Sequence, residues 1–186
     1  TDFNESSLIN MFKTESELRV WCGAASTGQE PYTIAMLMKE QLTPNQLTMT
    51  KFISTDIDLE VLKKASQGLY RESEMDGCPP DYRRKYFNVV NAGNEQAYKV
   101  KDDLAKLVRF APLNLVQDKY PFQHKFHVIF CRNVLIYFDP PTTKKVVTSL
   151  VENLSPGGFL VIGHSEAGSG KVSSVKQVTQ AIFQKI

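Results

Sequence analysis

Short apolar runs alternate with amphipathic stretches along this chain, and that alternation sets the expected fold. Residues 18–25 (LRVWCGAA) read as a buried strand running into a turn. Residues 30–42 follow with Ile34, Leu37, Met38 and Leu42 at i, i+3, i+4 and i+8, one face of a helix. Residues 52–56 (FISTD) predict a second strand. Asp58 then caps a short helix through Leu62 and Ala65, which Gly68 stops. Residues 107–111 and 126–131 (FHVIFC) predict two more strands, the latter buried on both faces. Asp139-Pro140-Pro141 opens a helix, with a capping carboxylate and proline at the first helical position. Its stripe is Val146, Val147, Leu150, Val151 and Leu154, and Ser155-Pro156-Gly157-Gly158 is expected to end it. Residues 159–163 predict the next strand, and 172–178 with 181–186 a closing hairpin. Strands alternating with helices predict an α/β fold with a mostly parallel sheet.

Between residues 69 and 106 the rhythm breaks. Gly77, Pro79, Pro80, Gly93 and Asn94 punctuate a stretch dense in charge. A basic helix around 81–87 and then a small antiparallel piece, with 97–101 (AYKVK) as one strand, are expected there, as an insertion or subdomain on the sheet edge. The expected division is therefore one domain from 1–68 and 107–186, with 69–106 as an inserted subdomain.

Composition narrows the function classes. The length of 186 residues suits one domain with a substantial core. Lys and Arg number 22 against 20 Asp and Glu, a balance that argues against a dedicated nucleic-acid binder. The longest apolar run, residues 34–38, falls far short of the roughly 20 residues a membrane span needs. No charged-then-apolar leader opens the sequence. Cys22, Cys78 and Cys131 are widely spaced, as expected of reduced thiols in a cytoplasmic protein. Neither they nor His124, His127 and His164 form a metal-ligand pattern, so no metal is expected.

Candidate chemistry begins in the loop Gly23-Ala24-Ala25-Ser26-Thr27-Gly28, between the first strand and first helix. In open α/β sheets ligands bind at such a crevice. The spacing approaches a dinucleotide fingerprint, although tight packing of strand on helix also calls for glycine. Glu30 follows at the helix N-terminus, where it would repel a pyrophosphate and attract an ammonium group. S-adenosylmethionine is a ligand of that kind, with a cationic amino-acid end, a sulfonium, a ribose and an adenine. A plain first-turn acid stabilising the helix dipole is the other reading of Glu30. Asp56 ends the second strand, placed for ribose hydroxyls. Asp58 serves the helix cap, and the sequence gives Asp56 no such duty. Ile57 could pack on the adenine face, and Asn114-Leu115 could meet its rim or simply form a turn.

A second cluster lies at Cys131-Arg132-Asn133-Val134-Leu135-Ile136-Tyr137-Phe138, after the most buried strand. Asn133 offers both donors and acceptors. Tyr137 offers a ring beside a sulfonium and a hydroxyl for an acceptor, or it is a core aromatic with its hydroxyl at the surface. Arg132 fits a structural ion pair, and His164 a satisfied loop histidine. Arg71, Arg83, Arg84 and Lys85 suggest a protein-facing basic surface or a solvated face.

Taken together, these stretches resemble the CheR family of chemotaxis receptor glutamate O-methyltransferases. The resemblance is carried by residues 19–36 (RVWCGAASTGQEPYTIAM), 54–70 (STDIDLEVLKKASQGLY) and 110–115 (FAPLNL). It continues through 127–139 (HVIFCRNVLIYFD), 154–166 (LSPGGFLVIGHSE) and Lys176-Gln177-Val178. It implies a class I S-adenosylmethionine-dependent methyltransferase fold. That fold is a Rossmann-like, mostly parallel seven-stranded sheet with a terminal antiparallel hairpin, here with a small inserted β-subdomain. It implies methyl transfer from S-adenosylmethionine to glutamate side chains of methyl-accepting chemotaxis receptors, giving methyl esters and leaving S-adenosylhomocysteine. The cofactor contacts it implies are Ala24, Glu30, Asp56, Ile57, Asn114, Leu115, Asn133 and Val134, with Tyr137 in the active site. The implied partner is the cytoplasmic helical region of the receptors, engaged by a monomer, with no nucleic acid and no insertion into the membrane.

Two departures accompany the resemblance. The family's N-terminal helical domain is expected to be absent. At Thr1-Asp2-Phe3-Asn4-Glu5 its Thr-x-Phe-Phe-Arg segment is met without the arginine, as expected either of an altered segment or of residues missing from this sequence. That leaves a second reading open, a module that binds the cofactor and signals without catalysis. A third, a nicotinamide-dependent oxidoreductase, is opposed by Glu30.

Overall fold

The structure, a computed structural model, describes residues 17–93 and 95–186. Thr1-Asp2-Phe3-Asn4-Glu5, where the sequence departs from the family segment, lies outside the described residues. In chain order the elements begin with β1 (Leu18–Cys22), α1 (Gln29–Gln41), α2 (Pro44–Thr48), β2 (Thr50–Asp56) and α3 (Leu59–Gln67). The insertion supplies β3 (Leu69–Arg71), α4 (Pro80–Tyr86), β4 (Phe87–Ala92) and β5 (Glu95–Val100). There follow α5 (Asp102–Ala105), β6 (Val108–Pro112), β7 (Phe126–Cys131), α6 (Pro140–Glu152), β8 (Leu154–Ile162), β9 (Val175–Thr179) and β10 (Ile182–Lys185).

Seven strands form one sheet in the order β6-β2-β1-β7-β8-β10-β9. The first five run parallel, and β10 enters antiparallel between β8 and β9. The mostly parallel sheet with a terminal antiparallel hairpin is thus as the sequence leads one to expect. The parallel strands all point their carboxyl ends to one edge, where an open α/β sheet forms its crevice. A second sheet, β3-β5-β4, is antiparallel and made wholly from the inserted stretch.

Alternation along β1 feeds two cores. Leu18, Val20 and Cys22 face Tyr32, Ala35 and Met38 of α1. Trp21 faces the other way, in one cluster with Ile129, Leu160 and the α6 residues Val146, Val147 and Leu150. Trp21 is fully buried and its indole N–H donates to Thr55 Oγ1 at 2.9 Å, satisfying its one polar atom. The expected caps form. Asp58 accepts from the Glu60 and Val61 N–H groups, and Asp139 accepts from Thr142.

Three features differ from the sequence expectation. Ser155-Pro156-Gly157-Gly158 lies inside β8 rather than ending a helix. The pairing skips from Phe126↔Leu154 to Val128↔Phe159, so these residues form an irregular bulge where proline and a left-handed Gly157 (φ 75°) are tolerated. The expected antiparallel piece pairs β5 with β4, whose position was not expected, because exposed Asn88, Val89 and Asn91 give it no buried alternation. The short α2 was not expected either, although Thr43 caps it through Gln46.

Candidate functional site

The crevice is built from four loops at the carboxyl ends of β1, β2, β7 and β8. The β1 loop is pinned first by its backbone. Gly23 N–H donates to Phe130 O at 2.7 Å, and Ala25 N–H donates to Thr55 O at 2.8 Å. Gly28 closes the loop at φ 96°, and a Cβ there would lie 2.8 Å from the Tyr70 hydroxyl and 3.0 Å from Ala65 Cβ. Packing against α3 and β3 therefore requires this glycine. The second glycine of the near-fingerprint spacing, Gly28, thus serves packing.

Asp56 ties two loops together. Its Oδ2 accepts from Ser26 N–H at 2.8 Å and its Oδ1 from Asp58 N–H at 3.1 Å. The sequence reading that left Asp56 without turn duty is corrected by these two bonds. Each carboxylate oxygen retains a further lone pair. Ser26 is held at φ 46°, a left-handed conformation that a non-glycine residue adopts only under local constraint. Ile57, beside Asp56, is 66% exposed, an unusual state for isoleucine.

Glu30 sits in the first turn of α1. Its Oε1 accepts from Arg132 Nη1 at 2.6 Å, which joins the β1 and β7 loops by the ion pair expected of Arg132. Its Oε2 faces the Cys22 thiol at 3.9 Å. Burial, with the Glu30 charge adding to it, pushes the Cys22 thiol up to about 12. Burial likewise raises Cys131 well above the ordinary thiol range. Neither thiol is a nucleophile at neutral pH.

The opposite wall is the β7 loop. Asn133 adopts φ 58° and is exposed, Val134 is half-buried, and Leu135–Tyr137 form one 3₁₀ turn. Tyr137 is 79% exposed, so the core-aromatic reading of this residue does not hold. What holds this loop was not read from the sequence. Glu166, only 3% exposed, accepts four backbone N–H groups. Its Oε2 takes Gly163 at 2.8 Å and Asn133 at 2.9 Å, and its Oε1 takes Leu135 at 2.8 Å and Ile136 at 3.3 Å. The signal was present in Gly163-His164-Ser165-Glu166, where an acid three residues after a cap position reaches back to the cap N–H. His164 is exposed at the start of that 3₁₀ segment.

Beyond β6, Asn114 Oδ1 accepts from Val116 N–H at 2.9 Å, an Asx turn. The Leu115 side chain is buried with Trp21 in the second core cluster, and its Cδ2 would lie 3.4 Å from a Cβ on Gly23, so it packs against the β1 loop. Ala24 is half-buried in the β1 loop. The structure thus gathers Ala24, Glu30, Asp56, Ile57, Asn133 and Tyr137 at one edge of the sheet. Two carboxylates, an exposed apolar side chain and an amide suit a ligand with an ammonium group, a vicinal diol and a flat base. The basic residues of the insertion lie elsewhere and are largely engaged. Arg83 pairs with Glu72 at 2.6 Å, donates to Met75 O and lies over the Tyr98 ring. Lys85 pairs with Glu40, Arg71 with Glu95, and Arg84 with Asp81.

The sheet order, the antiparallel hairpin and the acid-lined crevice define a class I S-adenosylmethionine-dependent methyltransferase fold. The chain is similar in fold to LepI, solved in complex with S-adenosylmethionine, with TM-score 0.50 and 13% identity over 86% of this chain and 30% of that one. The chain belongs to the family described as CheR methyltransferase, SAM binding domain, whose model matches residues 3–183. A chemotaxis protein methyltransferase of Borreliella burgdorferi is 38% identical over 171 residues, 91% of this chain and 59% of that protein. The chemotaxis protein methyltransferase of Escherichia coli is 42% identical over 156 residues, 83% of this chain and 54% of that protein. The chain therefore spans little more than half the length of these two relatives. Among the described residues, no helix is long and apolar enough to cross a membrane.

Proposed function

We propose that this domain transfers a methyl group from S-adenosylmethionine to glutamate side chains of methyl-accepting chemotaxis receptors, giving glutamate methyl esters. The reading is supported by loops carrying Glu30, Asp56, Asn133 and Tyr137 that all leave the carboxyl ends of the neighbouring parallel strands β1, β2 and β7, in a chain of the CheR family. When bound there, S-adenosylmethionine supplies an electrophilic methyl group on a cationic sulfonium. Glu30 Oε2 receives the ammonium end, while Arg132 keeps Oε1. Asp56 receives the ribose hydroxyls on its remaining lone pairs, Ile57 covers one adenine face, and Asn133 holds the amino-acid end from the far wall. Ala24, Asn114, Leu115 and Val134 complete the pocket.

No general base is needed. A glutamate side chain with an ordinary pKa of about 4.3 is already ionised at neutral pH. The domain's work is aim and exclusion of water: Tyr137 sets the acceptor carboxylate in line, on a loop that Glu166 holds rigid. The proposed partner surface is the cytoplasmic helical region of the receptors, the setting the cytoplasm and the acting unit a monomer. Residues 69–106 form an insert peripheral to the cofactor crevice. The test is transfer of tritiated methyl groups to receptor-bearing membranes. Label that base releases as methanol is the expected result, and label that resists base contradicts ester formation.

A further inference from the structure

Helices make every parallel connection in the large sheet but one. The helix α1 lies between β1 and β2, α3 with the insertion between β2 and β6, and α6 between β7 and β8. The connection from β6 to β7 runs through residues 113–125, and none of these is helical. A parallel crossover ordinarily lays a helix over the sheet. Here Tyr120 and Phe122 pack on Trp21, with ring centroids 5.1 and 4.8 Å away, and cover the sheet centre only.

Among the described residues, no helix covers the edge strands on that face. Alternation turns Phe52 and Val108 to the α1 side and leaves Lys51, Ile53, Arg109 and Ala111 on the other. A groove of about 820 Å³ runs along them, opening at the amino-terminal ends of the strands and away from the cofactor crevice. Ile53, Ala111 and Phe122 give it an apolar floor. Among the described residues, Arg19, Lys51, Lys106 and Arg109 line it with a single acid, Glu17. Arg19 takes that acid at 3.3 Å. Lys51, Lys106 and Arg109 form no ion pair among the described residues.

We propose that this groove docks an acidic amphipathic helix of a partner protein, which supplies the cover that the β6–β7 connection lacks. The apolar stripe of such a helix lies on Ile53, Ala111 and Phe122, and its flanking carboxylates meet Lys51, Lys106 and Arg109. Burial of the stripe supplies affinity, and the cations supply register and choice of partner. A nucleic-acid strand would use the cations but leave the apolar floor without a counterpart.

The experiment titrates the isotope-labelled protein with three probes and follows backbone amide shifts. The first is a capped helical peptide with a leucine stripe flanked by glutamates. The second carries lysine for each glutamate, and the third is a short single-stranded RNA. The glutamate peptide should shift residues 51–53 and 109–111, and the lysine peptide should not bind. Lys51→Glu with Arg109→Glu, shown by its thermal melt to be folded, should weaken the glutamate peptide about tenfold. No shifts, shifts elsewhere, equal binding of the lysine peptide or tighter binding of the RNA would each overturn the proposal.

Discussion

Replacing Glu166 with glutamine changes one oxygen into an amide nitrogen, yet it should destabilise this protein far more than a surface change does. The carboxylate accepts four N–H groups from two loops and donates nothing. A glutamine keeps one acceptor oxygen and presents its NH₂ to two of the four donors. An unsatisfied buried donor costs about 1–3 kcal/mol, so two of them cost roughly 2–6 kcal/mol. A domain of this size shifts its Tm by roughly 2–4 °C per kcal/mol, which gives a fall on the order of 10 °C. Glu166→Ala should cost a similar amount, because the Leu135 and Gly163 bonds are buried while the other two donors can reach water. Thermal unfolding followed by circular dichroism, with a urea titration for the free energy, measures both. Amide hydrogen exchange at residues 133–136 should rise in the glutamine variant. Stability within about 0.5 kcal/mol of wild type, the range of an ordinary surface substitution, would refute the reasoning.

Gly163→Ala should destabilise by itself, because its Cβ would lie 2.5 Å from Glu166 Oε2. It should cost at least about 1 kcal/mol less in a Glu166→Ala background, a coupling that a double-mutant cycle reads directly. Tyr137→Phe should lower kcat for methyl transfer with little change in S-adenosylhomocysteine affinity, as befits a hydroxyl used mainly at the transition state. Arg83→Glu should lower the melting temperature, since Arg83 joins Glu72, Met75 and Tyr98, whereas Arg84→Glu on the open face of α4 should leave it unchanged. With the Cys22 thiol pushed from an ordinary 9.0 to about 12, its contribution to stability is full below about pH 9. That contribution is lost as pH rises from there toward 12, because the unfolded chain releases its proton first. At pH 8 a thiol reagent should label Cys78 in the native protein, and Cys22 and Cys131 only in denaturant.

The sequence showed the large sheet clearly because its signals are local. FHVIFC is apolar without interruption, Asp58 caps α3, Asp139 caps α6, and Gly68 stops α3 at φ 56°. It showed the insertion only in outline, since β4 is held by pairing with β5 and not by a buried face of its own. Within the site, types of residue were legible and their partners were not. Glu30 and Asp56 stood out by position, but the bond from Ser26 to Asp56 spans 30 residues and that from Arg132 to Glu30 spans 102. Glu166 was legible as part of a motif, while its reach to Asn133, Leu135 and Ile136 depends on two loops that meet only when β7 and β8 pair. Leu115 was legible as a candidate contact, while its burial against Trp21 depends on the β6–β7 connection folding back over the sheet.

The central claim is that the crevice at the carboxyl ends of β1, β2 and β7 holds S-adenosylmethionine through Glu30 and Asp56. Isothermal titration of S-adenosylhomocysteine into the wild-type domain, Glu30→Ala and Asp56→Ala tests it most directly. Hydrogen bonds to charged groups contribute roughly 1.5–3 kcal/mol, so each variant should lose at least about tenfold in affinity. Glu30→Ala should lose the more because it leaves the Arg132 cation beside the ligand's ammonium group. Wild-type affinity in both variants would contradict the account.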